Sequence, residues 1–140
     1  MSRNLHNLAI YSDRMAKGDY DAVYDYFAET FMSHVTERVV PERVGTDIRG
    51  HEKDFWENAK QAFPDDMKFE VNLVLESGDH IVSNWTLSGT HNGGSYYDVP
   101  PSGRFVTING TAILRFEDGK VVEHWGGPHC MKGVGLVNEA

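Results

Sequence analysis

The chain has 140 residues, and 13 Lys and Arg against 21 Asp and Glu give it a formal net charge of −8. Apolar residues make up 40% and charged residues 24%, which is typical of a globular protein and excludes a disordered or fibrous chain. The acidic balance argues against a surface for nucleic acid or anionic membrane, because phosphate binding needs a basic face.

The sequence also predicts the cellular location and the number of domains. Its length fits a single domain over residues 1–140. No segment approaches the roughly 18 apolar residues of a membrane span, and the first residues lack the apolar stretch of a signal peptide. The single cysteine, Cys130, excludes an internal disulfide bond and fits a cytoplasmic location.

The first half of the sequence predicts helices. Apolar residues recur at three- and four-residue steps over Asn4–Lys17, which predicts an amphipathic helix. Gly18 ends this helix, and Asp19 caps a second one. The apolar residues that the second helix is expected to bury are Val23, Tyr26 and Phe27. Glu29–Gly50 is polar and predicts a loop, and a third helix is expected over His51–Phe63, ended by the following proline.

The second half changes to a period of two residues, which predicts strands. The first strand is expected over Met67–Glu76, half buried through one alternating face. The residues of that face are Phe69, Val71, Leu73 and Leu75. A strand carrying Trp85 follows, and then the Gly- and Pro-rich loop Asn92–Gly103.

Two further strands are predicted after that loop. They span Arg104–Glu117 and Lys120–Trp125, and the Asp118-Gly119 pair between them is a strong signal for a tight hairpin. Helices followed by hairpin-linked strands predict an α+β fold, in which helices pack on a curved, mostly antiparallel sheet.

Several short motifs, in a fixed order, resemble those of one known family. These are Ala62–Asp65, Gly78-Asp79, Gly89–Gly93, Pro100–Arg104 and Arg115–Trp125. In this order and spacing the sequence resembles the SnoaL-like polyketide cyclases of the nuclear transport factor 2-like superfamily. The resemblance implies a cone-shaped α+β fold, a homodimer, and no metal or organic cofactor. It also implies aldol ring closure of a polyketide ester, in which a carboxylate inside the cone moves the proton.

The sequence departs from the cyclase pattern at the catalytic acid. In the anthracycline-type cyclases the key aspartate lies just beyond the histidine of the last-strand motif, whereas here His124-Trp125 is followed by two glycines, a proline and His129. Gly110 and Ala112 stand where the preceding strand of the family points polar side chains into the cone. Either another base replaces the acid, or the protein is not a cyclase.

Three histidines are candidate catalytic residues. His129 stands at the family's acid position, and an imidazole accepts and returns protons near neutral pH. His34, in the loop after the second helix, and His124, in the last-strand motif, are candidates for the acid that polarises a carbonyl. Each could instead be an ordinary strand or loop histidine. Histidine spacings that bind metal are missing, so no metal site is predicted.

Aromatic and polar residues of the sheet and its loops are candidates for binding a small carbonyl or aromatic ligand. They are Trp56, Trp85, His91, Tyr97, Asn109 and Trp125. Ordinary core packing or a dimer contact explains most of them equally well.

The sequence therefore leaves three functions open. The first is cofactor-independent proton transfer next to a carbonyl, as aldol cyclisation or isomerisation, with His129 as the base. The second is a non-catalytic binding module or dimeric scaffold that lost the carboxylate. The third, epoxide or ester hydrolysis, would need an acid such as Asp98 or Glu37 in the cone.

Overall fold

The computed structural model describes residues 1–34 and 47–132, with the backbone alone for 129–132. The order of elements confirms the predicted α+β fold. In chain order they are α1 (Arg3–Ala16), α2 (Ala22–Tyr26), β1 (Phe27–Ser33), α3 (Arg49–Ala62), β2 (Lys68–Ser77), β3 (His80–Thr90), β4 (Phe105–Glu117) and β5 (Lys120–Lys132). No helix among the described residues is long and apolar enough to cross a membrane.

The five strands form one open sheet with the order β1-β5-β4-β3-β2. Strands β2 to β5 are antiparallel to their neighbours, and β1 joins the edge of the sheet parallel to β5. We call the face that packs against α1 and α3 the inner face, and the opposite one the outer face. The space between the inner face and these helices is the interior.

The first and third predicted helices are confirmed, and each packs its apolar stripe into the interior. Helix α1 starts at Ser2, whose hydroxyl accepts a hydrogen bond from the Leu5 amide over 3.1 Å. The buried residues of α1 are Leu8, Tyr11 and Met15, and those of α3 are Trp56, Ala59 and Ala62.

The prediction for the second helix and the loop after it was wrong in part. Helix α2 has only five residues, and Phe27 begins strand β1 instead of lying in the helix. Phe27 and Phe31 are buried, but Glu29 between them is exposed, and the pairing of β1 with β5 contains an irregularity. Strand β1 therefore lacks the alternation by which a strand is recognised. The rest of the predicted loop lies mostly outside the described residues.

Strand β2 was predicted with one apolar face, and a bulge at Asn72 overturns that prediction. Val71 pairs with Trp85, whereas Leu73 pairs with Asn84, so the extra residue moves Leu73 and Leu75 to the outer face. As a result, Leu73 and Leu75 are 54% and 56% exposed, instead of half buried.

Strand β5 runs beyond its predicted end at Trp125, and a bulge also changes its faces. Val121 pairs with Phe116 and Glu123 with Arg115, so Val122 is the extra residue. From Glu123 to Pro128 the pairing with β4 is regular and His124 faces inward, and a second shift follows at His129. The hairpin before β5 is confirmed, because Asp118 and Gly119 both have positive φ, 51° and 77°.

Candidate functional site

His124 lies in β5 and faces the interior. It pairs with Leu114 of β4 on one side and with Ser33 of β1 on the other. Its side chain is 12% exposed. Its ring stacks at 6.4 Å on Phe31, and neither ring nitrogen has a hydrogen-bond partner. Burial lowers the pKa of His124 below its ordinary value, so the ring is neutral at neutral pH and can act as a base.

A carboxylate from helix α3 lies next to this ring. Glu52 Oε2 is 3.9 Å from His124 Nδ1, and the Glu52 side chain is 19% exposed. The negative charge of Glu52 opposes the effect of burial on the pKa of His124. A strand and a helix thus bring an imidazole and a carboxylate together in the interior.

Tyr11 of helix α1 completes this group. Its hydroxyl donates a hydrogen bond of 3.2 Å to Glu52 Oε1. Burial, and then the charge of Glu52, raise the pKa of Tyr11 well above its ordinary value, so the phenol keeps its proton at neutral pH. We refer to Tyr11, Glu52 and His124 as the interior triad.

Aromatic rings from α3 and the sheet also lie in the interior. Trp56 packs edge-on against Phe69 at 4.6 Å, and Phe55 packs against Trp85 at 6.2 Å. Both tryptophans were predicted to bind a ligand, and both lie on the interior side. These rings are packed into the hydrophobic core between α3 and the sheet.

Gly110 and Ala112 lie on the inner face of β4. Both are buried, and Gly110 pairs with Trp85 across strands. A Cβ atom at Gly110 would overlap the indole of Trp85. The indole therefore occupies the space that a side chain of β4 would fill.

His34 and Trp125 lie on the outer face, away from the interior triad. The His34 ring stacks on Trp125 at 5.1 Å with an angle of 14° between planes, and its Nε2 lies 2.8 Å from Glu123. Arg115 Nε donates to the other Glu123 oxygen over 2.7 Å. The hydrogen bonds from His34 and Arg115 lower the pKa of Glu123.

Asn109, another predicted binding residue, also lies on the outer face. Its amide nitrogen donates to the Trp85 carbonyl oxygen over 2.8 Å and to the Thr86 hydroxyl over 3.2 Å. It belongs to a row of polar side chains across the sheet, and not to the interior.

His91 and Tyr97 lie at the loop between β3 and β4. His91 is fully buried, its ring packs edge-on against Phe63, and its Nε2 is 2.9 Å from the Gly94 carbonyl oxygen. Tyr97 is half buried with a positive φ of 52° and packs against Tyr96. These contacts hold the loop to the end of α3, apart from the interior triad.

Some predicted residues cannot be placed in this way. The backbone of His129 lies in β5 beside a bulge opposite Asn109 and Gly110, and its side chain is outside the described residues. Glu37 also lies outside them, and Asp98 is exposed in its loop. Across residues 1–34 and 47–128, no three His, Cys, Asp or Glu side chains are grouped so that they could hold a metal ion.

Comparison with known proteins agrees with the motifs and the topology. The family model of the SnoaL-like polyketide cyclases matches residues 6–131. The chain belongs to the SnoaL-like polyketide cyclase family. Its open mixed sheet with helices on one face is the cone fold of that family. No curated protein matches the sequence.

Solved structures of this family share the fold. AclR of Streptomyces galilaeus, proposed to be a hydroxylase, has a TM-score of 0.73 at 23% identity, over 90% of this chain and 74% of that one. IdmH of Streptomyces antibioticus, proposed to be a polyketide cyclase, has a TM-score of 0.70 at 22% identity, over 91% and 92%. A SnoaL-like polyketide cyclase of Agrobacterium tumefaciens has 0.70 at 15%, over 92% and 93%. Because different activities are proposed within one SnoaL-like fold, the fold alone does not assign the reaction.

Sequence reasoning missed Glu52 and Tyr11 of the interior triad. The signal for Glu52 was present, because it precedes Trp56 by four residues and Ala59 by seven, which places a carboxylate on the buried face of a helix. An acid on an apolar helix face is rare without a partner. Nothing in the spacing of Tyr11 along α1 indicates that its hydroxyl meets that acid.

Proposed function

We propose that this SnoaL-like protein catalyses cofactor-independent proton transfer at a carbon next to a carbonyl group, on a small molecule bound in the interior. The reaction is an aldol cyclisation or an isomerisation. The observation that carries this proposal is the buried His124 ring, which has no hydrogen-bond partner on either nitrogen and lies 3.9 Å from a carboxylate. A neutral imidazole in an apolar site is suited to act as a general base.

The proposed step balances as follows. The bond between the acidic carbon and its hydrogen breaks, and the proton moves to Nε2 of His124. The electron pair moves onto the carbonyl oxygen and forms an enolate. In an aldol closure the enolate carbon attacks a second carbonyl carbon, and the imidazolium gives its proton to the alkoxide that forms. In an isomerisation the imidazolium instead gives that proton to another carbon of the conjugated enolate.

The test is deuterium uptake by a simple carbon acid, 2-tetralone, in deuterated buffer, followed by proton NMR. We expect the wild-type protein to accelerate exchange over buffer, and His124→Gln to reduce that acceleration by at least about a hundredfold while its circular dichroism is unchanged. The matched control is His80→Gln, since His80 lies against Trp125 on the outer face. Exchange no faster than buffer, or undiminished in His124→Gln, would contradict the proposal.

The sequence analysis predicts His129 as the general base, and the same assay tests that prediction. His129→Ala should keep the fold. If it abolishes exchange while His124→Gln does not, the base is His129. If neither variant matters and the protein only binds 2-tetralone, the binding-module function is favoured instead.

We also propose that two copies of the chain associate through the outer face. Four apolar side chains lie side by side across that face, one from each of β2 to β5. They are Leu75, Val82, Ile113 and Trp125. Beside them Arg115 and Glu123 carry opposite charges, which lets the face pair with itself about a two-fold axis.

Sedimentation velocity tests this association. We expect the wild-type protein to sediment as a dimer, and Leu75→Lys as a monomer, because the lysine places a charge within the apolar row. Asp13→Lys adds a lysine on helix α1 and should leave the dimer intact. A monomeric wild-type protein, or a dimeric Leu75→Lys variant, would refute the proposal.

A further inference from the structure

The carboxylate of Glu52 on α3 is only 19% exposed and needs an explanation of its own. Glu52 projects from the helix face that also buries Trp56 and Ala59. Removing a carboxylate from water costs free energy unless hydrogen bonds or opposite charge compensate it. Among the described residues, the Glu52 side chain accepts one hydrogen bond, from Tyr11, and no Lys or Arg pairs with it. A purely structural position would favour an apolar side chain here.

The other carboxylate close to His124 in sequence cannot serve the interior. Glu123 precedes His124 on β5 and therefore points to the outer face, where Arg115 and His34 hold both of its oxygens. Beyond His124, the inward-facing residues of β5 that pair with Ala112 and Gly110 are Gly126 and Pro128. Over this part of β5 no carboxylate faces inward.

Glu52 places a carboxylate beside His124 in the interior, where β5 has none. Tyr11 binds Oε1 and thereby fixes the carboxylate, and Oε2 is the oxygen nearest to His124 Nδ1. A carboxylate beside one ring nitrogen favours the tautomer with its proton on that nitrogen, and leaves the other nitrogen free as a base. The 3.9 Å separation is longer than a hydrogen bond. Hydrogen bonds between catalytic residues are often long before substrate binds and shorten in the complex.

We propose that Glu52 is a positioning residue for His124, so that helix α3 supplies the carboxylate that the last strand lacks. This inference rests on the proposed function, since it assumes that His124 takes the proton. Glu52 holds the proton of the resting ring on Nδ1 and faces the positive charge that forms when Nε2 is protonated. Tyr11 keeps the carboxylate in place from α1, and does not touch the substrate.

The first experiment is a titration of the His124 ring by NMR in labelled protein, without any substrate. The charged group that acts on His124 from α3 is Glu52, and Tyr11 contacts that same carboxylate from α1. Glu123 on β5, together with His34 and Arg115, lies on the other face. Glu52→Gln removes the negative charge that favours the imidazolium, so we expect His124 to titrate at lower pH than in the wild-type protein.

The matched control is Glu57→Gln. Glu57 lies on the same helix but is ion-paired with Lys53 over 3.4 Å at the surface, so this variant should leave the His124 titration unchanged. Glu52→Asp keeps the charge and should restore part of the wild-type behaviour. An unchanged His124 titration in folded Glu52→Gln would overturn the proposal.

The second experiment is the exchange assay with 2-tetralone. We expect Glu52→Gln to slow exchange at least about tenfold and to move the acid limb of its pH profile to lower pH. A rate and profile equal to those of the wild-type protein would overturn the positioning role. If the wild-type protein shows no exchange, the proposed function fails, whereas the NMR titration still reports whether Glu52 acts on His124.

A third measurement needs no variant, in case Glu52→Gln does not fold. The nitrogen chemical shifts of His124 in the wild-type protein report which ring nitrogen carries the proton. We expect Nδ1 to carry it in the neutral ring. A proton on Nε2 would overturn the proposal.

Discussion

Two histidines, one at each face of β5, have opposite surroundings. On the outer face His34 is 39% exposed, stacks on Trp125 and lies within hydrogen-bond distance of Glu123. On the inner face His124 is buried with both ring nitrogens unpaired. A buried polar group without a partner costs about 1–3 kcal/mol, and an apolar residue would avoid that cost. The contrast supports the proposal that the inner ring interacts with a ligand, whereas His34 already has partners on the outer face.

The largest expected effect is on the free energy of unfolding, when isoleucine is replaced by alanine on the inner face of β4 and, for comparison, on its outer face. Ile108 of β4 is fully buried on the inner face, and Ile113 is 38% exposed on the outer face. Ile108→Ala should reduce the free energy of unfolding by about 2–5 kcal/mol, because it leaves a cavity. Ile113→Ala should cost less than about 1 kcal/mol in dilute protein. Urea denaturation measures both, and equal losses would contradict the distinction between the faces.

A smaller effect is expected in the pH dependence of stability. The folded pKa of His124 is lowered, so below the ordinary histidine value of about 6.5 the unfolded chain binds a proton that the folded chain does not. This contribution to stability is therefore present at neutral pH and is lost as pH falls towards the folded pKa. His124→Phe removes it and should flatten the stability profile over this window, by at most about 1.4 kcal/mol per pH unit.

Denaturation at several pH values between about 7.5 and 5.5 measures this slope. The comparison uses slopes, because the absolute stability of His124→Phe also reflects its packing against Phe31. A slope in His124→Phe as steep as in the wild-type protein would mean that the buried ring is not the source.

The smallest effect is expected on the outer face. Glu123→Gln removes the charge that holds Arg115 and His34, and exposed ion pairs contribute little and are screened by salt. We expect a loss of thermal stability at neutral pH that is smaller than that of Ile108→Ala and decreases with added salt. Exchange of 2-tetralone should be unaffected. Slower exchange in Glu123→Gln would show that the two faces are coupled through β5.

Patterns that repeat along the chain predicted most of the fold. The stripe on α1, the alternation of β3 and β4, and the Asp118-Gly119 hairpin are local signals, and the structure has each of them. Single extra residues were not predictable. The bulges at Asn72 and Val122 each reverse the face of the residues that follow. A bulge depends on the partner strand, and in β2 the apolar residues Val71, Leu73 and Leu75 alternate through it without a break.

The candidate site was predictable only in part, for a related reason. His124 was found through its motif, and Trp56 and Trp85 through their size. Glu52 and Tyr11 meet His124 because three elements distant in sequence pack together, 41 residues separating Tyr11 from Glu52. The residue types of His34 and Trp125 fit a catalytic or binding role. Both side chains lie on the outer face of the sheet, however, and therefore do not reach the interior.

The contact between Trp85 and Gly110 restricts how this protein can change. Because the indole lies where a Cβ atom of residue 110 would be, a larger residue at position 110 is tolerated only after Trp85 has become smaller. The two residues must therefore be substituted in a fixed order, Trp85 before Gly110. An evolutionary or laboratory route to a polar side chain at this point of β4 therefore begins at Trp85, and a library that varies position 110 alone would miss it.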